Sequence, residues 1–579
     1  MCVSTDRRPF ANPPRTSTRR ARILRAWMIA AASLALSAHG CASPAPREVK
    51  TAGPRVEREA RGAVPAANAP PAPVEAASPQ DTPIVDATIA DLAAAMAAGK
   101  TSAVALVDAY VARVEAVDRR GPELRSVIEL NPDARSIAEA LDRERAERGV
   151  RGPLHGIPIL LKDNIGTADR METTAGSLAL VGARPAEDAH VAHRLRAAGA
   201  VLLGKTNLSE WANIRSARST SGWSARGGQT KNAYVLDRTP CGSSSGSATA
   251  VAASLAAAAI GTETDGSIVC PSAMSALVGL KPTVGLVSRH GIVPIAPSQD
   301  TAGPMTRTVR DAALLLNVLA GEDPADPRTA ESRGKRAADY TMALAPDGLR
   351  GARLGVMRAG SPAHPGVVAA FDRAVLVMKA RGATIVDPVD LPPLRDVDDK
   401  ELELLLIELK AAMAAYLAEL GGATKLKTLA DIVAWNEANR EREMPLFGQD
   451  LFTRAVAEPP LTSDAYRRIK AEIQRRTRAA IDGALAKHRL DALIAPTMGP
   501  PWLIDPVNGD ASTGGTSSLA AVAGYPNVTV PAGFVHELPV GVAFFGAAYG
   551  EPALLRLAYA YEQASRERRP PKYLAHTPP

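Results

Sequence analysis

The sequence predicts a layered α/β fold, and two observations carry the prediction. Short apolar runs at 156–161 and 200–203 are each followed by turn residues, the pattern of buried strands. Stretches of helical period at 188–198 and 309–320 alternate with them, which is how a sheet covered by helices reads along a chain.

The first eighty residues stand apart from that pattern. They hold 12 of the 68 Lys/Arg and 5 of the 61 Asp/Glu, so the other 499 residues of the 579 carry 56 of each. The net charge of +7 therefore belongs to the tail, and the neutral remainder argues against nucleic acid as a partner. Arg19, Arg20, Arg22 and Arg25 precede an apolar run at 26–38, too short to span a bilayer but of the length of a signal-peptide core. Residues 1–41 are read as that signal, with Cys41 as the acylated residue of a lipoprotein and so a membrane tether; a basic leader on a cytosolic protein is the alternative. Residues 42–82, rich in Pro and Ala, read as a disordered tether, and the globular part begins at 83. The expected location is outside the cytoplasm, periplasmic or membrane-anchored.

The domain opens with ATIADLAAAMAAGK and SAVALVDAYVARVEAV, two amphipathic helices separated by Gly99. GIPILLKDN at 156–164 follows as a strand-like run that ends in Lys162. Burial disfavours the charged form of a lysine, moving its pKa from about 10.4 towards neutrality, the condition for a general base. Taken alone, a core-edge lysine paired with Asp163 explains the same residues.

The stretch TPCGSSSGSATAVAASLAAAAIGTETDGSIVCPS at 239–272 organises the rest. Residues 247–259 contain no Gly, Pro or charge and read as a helix apolar on every face, hence buried. The loop 241–246 then lies at a buried helix N-terminus, where glycines admit close approach and free NH groups favour negative charge. The loop 261–267 returns with Asp265-Gly266-Ser267, a tight turn able to aim consecutive NH groups at one point. A flexible linker would not flank a buried helix, and the spacing is not that of a phosphate-binding P-loop.

Lys162 in GIPILLKDNI, Ser243 and Ser244 in CGSSSGS, and Ser267 in GTETDGSI together resemble the amidase signature family, whose Ser-Ser-Lys triad hydrolyses amide C–N bonds. The resemblance extends over about 85–570 and implies an α/β amidase-signature fold, a mixed central sheet surrounded by helices in a single large catalytic domain at 83–575, with 349–500 as a variable, partly helical, substrate-facing region. Segments far apart, such as GLKPTVGLVS at 279–288, DTAGPMTRTVRD at 300–311 and GYPNVTVPAG at 524–533, are then expected to share one core. Residue by residue, it implies Ser267 as nucleophile, Ser243 as a bridging serine on a cis peptide bond, Lys162 as base and Ser244 as support. The NH groups of Thr264, Asp265, Gly266 and Ser267 are implied as the oxyanion hole, with no metal or organic cofactor.

The chain departs from the common GGSSGGS and TDxGGSIR patterns at Cys241, Ser245, Glu263, Asp265 and Val269. These variants, with SGWSARGGQTKN at 221–232, are similar to the bacterial peptide amidase branch, whose members remove the C-terminal amide of peptides. The expected substrate is a small-molecule or peptide amide, peptide C-terminal amides first. The alternatives are a broad aliphatic or aryl amidase, an esterase, or an amidotransferase A-type subunit.

Residues 349–500 differ in character. They read as strand, helix and strand at 351–391, then as long helices at 401–420 and 465–488 around Trp435, Phe447 and Phe452. With only 22 aromatic residues in the chain, these three are either a substrate lid or anchors of a helical subregion. Trp223 and Asp265 are the substrate-facing candidates. Cys241 and Cys270 are expected as free thiols packed as small buried side chains, too few for a disulfide framework. Asp188, His190 and His193 share a helical stretch and are assigned to that helix rather than to a metal.

Overall fold

A computed structural model describes residues 84–392, 394 and 396–578. The signal and tether assignments at 1–41 and 42–82 lie outside the described residues. Among the described residues, eleven strands form one mixed sheet, in the spatial order Val127–Leu130, Val201–Thr206, Pro158–Lys162, Ala258–Glu263, Thr301–Thr306, Val278–Lys281, Asn527–Val535, Leu538–Phe545, Ala492–Pro496, Arg353–Val356, Thr384–Val386.

The chemistry-bearing strand, Pro158–Lys162, is buried at every residue and runs parallel between Val201–Thr206 and Ala258–Glu263. An interior parallel strand covered on both faces needs the continuous apolar run seen in its sequence. Segments distant in the chain meet as the resemblance implies, Asn527 pairing with Lys281 and Gly279 with Met305. Around the sheet lie helices that the sequence placed well. Ile89–Ala97 and Ala103–Arg113 start at Thr88 and Ser102, whose side chains accept backbone NH groups. Val309–Leu319 packs on Thr301–Thr306, and Glu551–Ser565 on Asn527–Val535.

The helix expected over 247–259 is shorter, Ser245–Ala252. Ser254, at φ 57°, turns the chain away, and its Oγ accepts the NH of Asp86 at 3.0 Å. Ala258 and Ala259 belong instead to the strand Ala258–Glu263, which is paired on both edges. Pairing on two edges in a buried sheet outweighs the helix preference of alanine.

The helices Val397–Glu419, Leu429–Ala438 and Asp450–Ala457 bury a second apolar cluster that includes Trp211, Met413 and Phe452. Phe452 packs edge-on to Trp211 at 5.6 Å and Phe447 edge-on to Trp223 at 5.3 Å, while Trp435 lies against the same cluster. These aromatics are anchors of the helical region. A buried ion pair adds to them: Arg215 lies 2.8 Å from Glu210, donates to the Glu443 carbonyl at 2.7 Å and covers the Phe447 ring at 4.4 Å. Burial pushes the Glu210 carboxyl well above the usual range despite Arg215. Glu443 in turn accepts from the Leu178 NH at 3.0 Å and from Ser177 Oγ, so the helical region is fastened to the sheet-side loops at 177–178 and 210–215.

Candidate active site

Lys162 ends its strand with a fully buried side chain. Its Nζ lies 2.7 Å from Ser243 Oγ, 2.9 Å from Thr262 Oγ1 and 3.2 Å from the Thr262 carbonyl. Asp163 does not hold it. The Asp163 carboxylate accepts from Thr174 and Gly176 and faces Arg226 at 3.3 Å. Burial draws the Lys162 ammonium down to about 7, against the raising pull of Glu263 and then Asp300. Near neutral pH much of this amine is therefore unprotonated and can take a proton from the hydroxyl beside it.

Ser243 follows a cis peptide bond from Gly242, and its carbonyl accepts the NH of Ser209 at 3.1 Å. Gly242 is required here, because a Cβ would stand 2.1 Å from Ser209 Oγ. Ser244 joins the two serine turns. Its NH donates to the Ser267 carbonyl at 3.2 Å, and its Oγ both accepts from the Thr262 NH at 3.2 Å and donates to the Thr262 carbonyl at 3.1 Å.

Ser267 retains 8% exposure and follows Gly266, whose φ of 73° makes the turn. Among the described residues, the NH groups of Asp265, Gly266 and Ser267 enter none of the hydrogen bonds that hold this turn. Glu263 Oε2 secures the far side, accepting from Ile268 at 2.7 Å and Val269 at 3.0 Å. The near side is held by Thr264. Its Oγ1 donates to Asp300 at 2.6 Å and its carbonyl accepts from Gln299 at 3.3 Å. The other oxygen of Asp300 takes the NH groups of Ile295 at 2.9 Å and Ala296 at 2.8 Å. Gln299 reaches onward to Glu401 at 2.6 Å, linking the turn to the Val397–Glu419 helix. The arrangement presents a buried amine, two serine turns and an array of backbone NH donors, which together suit nucleophilic attack on a carbonyl.

Asp265 is partly exposed beside Ser267, and its Oδ2 accepts from Ser518 Oγ at 2.6 Å. Burial raises its carboxyl against hydrogen bonds from Ser517 and Ser518, and burial likewise raises the nearby Glu401 well above the carboxylate range. Trp223 is 8% exposed in a two-strand hairpin, Trp223–Ser224 with Gly228–Gln229. Gly222, just before it, donates to Ser209 Oγ at 2.9 Å, so the hairpin is tied to the residue that holds Ser243. Thr262, Thr264 and Asp300 also line an open cleft, with Asn164, Ile292 and Tyr416. Asp188 and His190 have separate partners, Arg196 at 2.9 Å and Asp323 at 3.3 Å.

Two corrections concern residues that sequence reasoning left idle. Cys241 and Cys270 are not free thiols: they form a disulfide, with Cα atoms 6.1 Å apart. Counting cysteines measures how many cross-links can form, whereas here the fold of both serine turns onto one point brings the two residues into range. Thr262, Gln299 and Asp300 also had no assigned role, although Asp300 opens the framework segment DTAGPMTRTVRD.

Asp300→Asn is expected to lower kcat roughly 10- to 100-fold by loosening Thr264. It should also move the acidic limb of the pH–rate profile to lower pH, because a carboxylate that raises the Lys162 pKa is gone. A profile that keeps its position would show that Asp300 does not act on the lysine.

The chain matches the family model described as Amidase over residues 105–555. It is 41% identical to a probable amidase of Arabidopsis thaliana over 450 residues, 76% of this chain and 82% of that protein. It is 38% identical to the A-type subunit of the glutamyl-tRNA(Gln) amidotransferase of Symbiobacterium thermophilum, over 75% of this chain and 88% of that one. Among solved structures it is similar to the peptide amidase of Stenotrophomonas maltophilia, at 53% identity and a TM-score of 0.82, covering 85% of this chain and 99% of that one. A crystal structure of the peptide amidase with the competitive inhibitor chymostatin gives the same identity and TM-score.

Proposed function

The chain belongs to the amidase family and is a hydrolase acting on amides; on that premise we propose that it works outside the cytoplasm on peptide C-terminal amides, through a Ser267–Ser243–Lys162 relay. One observation carries the relay: a fully buried lysine, its ammonium depressed to about 7, lies 2.7 Å from Ser243 Oγ. Neutral Lys162 accepts the proton of Ser243, Ser243 that of Ser267, and Ser267 Oγ attacks the carboxamide carbon. The NH groups of the turn at 264–267 hold the oxyanion. The proton returns through Ser243 to the departing nitrogen, which leaves poorly unless protonated. Water then attacks the acyl-enzyme by the same relay and releases the acid.

The substrate class draws support from the likeness to the peptide amidase whose structure holds chymostatin. Asp265 and Trp223 are assigned to the substrate-facing wall, supported by the exposure of Asp265 beside Ser267 and by the tether of the Trp223 hairpin to Ser209. Export is supported by the basic and apolar pattern of the first 41 residues, with Cys41 as the membrane tether, and by a disulfide of the kind that persists in oxidising compartments. Recovery of the chain in periplasmic or membrane fractions tests it.

The substrate is tested by ammonia release from peptide amides beside the matching acids, anilides and esters, with no partner protein or tRNA present. Release confined to terminal amides supports the proposal. Faster cleavage of anilides or esters moves the substrate class. Turnover that appears only with a partner and tRNA favours an amidotransferase A-type subunit. That second reading is supported by the 38% identity to such a protein.

A further inference from the structure

Cys241 precedes Gly242 and Ser243, and Cys270 follows Ser267 by three residues in the short helix Val269–Ala273. The disulfide therefore joins the turn of the relay serine to the turn of the nucleophile, alongside the hydrogen bond from the Ser244 NH to the Ser267 carbonyl. Cys241 sits at φ 61°, a left-handed conformation in which a side chain bearing a Cβ is strained and where glycine is the usual choice. Its carbonyl accepts from Ser245 Oγ at 2.6 Å and its NH donates to Thr239 Oγ1 at 3.0 Å, so the strained residue is wired directly into the catalytic loop. On the other side, the Cys270 NH donates to the Gly266 carbonyl at 2.8 Å, within the turn that carries the nucleophile. Both cysteines are buried, packed with Met274 and Trp502.

A non-glycine residue keeps such a conformation only where its surroundings over-determine it. Here the covalent bond to Cys270 is part of what holds it. Once unbridged, Cys241 is free to relax towards ordinary φ values, and any rotation there is passed to Gly242 and Ser243.

We propose that the Cys241–Cys270 bridge is a positioning device that holds Ser243 against Ser267, so that amide turnover follows the thiol–disulfide state of this pair. The proposal rests on the relay put forward above. Oxidation removes two protons and two electrons from the two thiols and forms the S–S bond, while an accepting disulfide is reduced to two thiols. A dithiol reductant reverses the step. The chain made in a reducing compartment is then slow, and it gains its full rate where disulfides form.

The test uses the chain as it stands and two variants. Cys270→Ser leaves Cys241 unbridged and should lower kcat about 10- to 100-fold while KM changes little. Adding Cys241→Gly, which accepts φ 61° without strain, should restore much of that loss and leave the rate indifferent to reductant. The oxidised wild type should slow on reduction by a dithiol, complete by thiol titration, and recover on reoxidation, with far-UV circular dichroism unchanged throughout. A folded Cys270→Ser protein, or a fully reduced wild type, with kcat within about twofold of the oxidised wild type would overturn the proposal. Labelling of Ser267 by a fluorophosphonate is followed in parallel. If the oxidised wild type labels but cleaves no amide, the substrate assignment has failed and the bridge is judged from the labelling rates. If it does not label at all, the relay itself has failed.

Discussion

Replacing Ser267 by alanine should lower kcat by about 10⁴- to 10⁶-fold on whichever amide proves the best substrate, the loss seen when a nucleophile is removed from a relay that acts as a unit. Lys162→Met should cost about as much, because without a buried base neither serine hydroxyl can be deprotonated in the transition state. The double variant should be no slower than either single one. That non-additivity is the sharper measurement, since independent contributions would multiply and a shared relay cannot lose its function twice. Burst kinetics complete the test: acyl-enzyme should accumulate in the wild type on activated substrates and be absent in Ser267→Ala.

The second large effect is on pH. In the proposed relay the Lys162 amine acts in its neutral form, and burial draws its pKa down to about 7. Below that value the ammonium predominates, so kcat/KM should fall about tenfold for each further pH unit, and above it the rate should level off. The direction follows from burial, which disfavours the charged form of a base; the carboxylates of Glu263 and Asp300 offset only part of that effect. Lys162→Arg, which keeps its proton throughout the accessible range, should be inactive on the plateau as well as below it. A wild-type profile flat well below neutrality would exclude lysine as the base.

Both predictions concern residues visible in the primary structure, and the reason is chemical. A buried run that ends in lysine, and serines set among glycines on tight turns, carry their chemistry in residue type and local spacing. Lys162, Ser243, Ser244 and the turn at 264–267 stood out for that reason, and the structure brings them together; long periodic helices such as Asp464–His488 were legible from their period. The length of the helix after Ser244 was not legible. Alanine is compatible with both helix and strand, and only the partners on either side of Ala258–Glu263 resolve the choice.

The residue types alone pointed to the amidase family, which the family match bears out, and singled out the serines and the lysine proposed for the relay. Distances between turns far apart in the chain were decided by the sheet. Lys162 reaches Ser243 across 81 positions because its strand lies beside Ala258–Glu263, at whose end the turn at 264–267 begins. The same convergence closes a disulfide between Cys241 and Cys270, 29 positions apart, and sets Asp300 and Gln299 against Thr264. A motif specifies local backbone and functional groups, whereas pairing across such separations depends on which strands are neighbours. That order follows from burying the whole core and is written in no single segment.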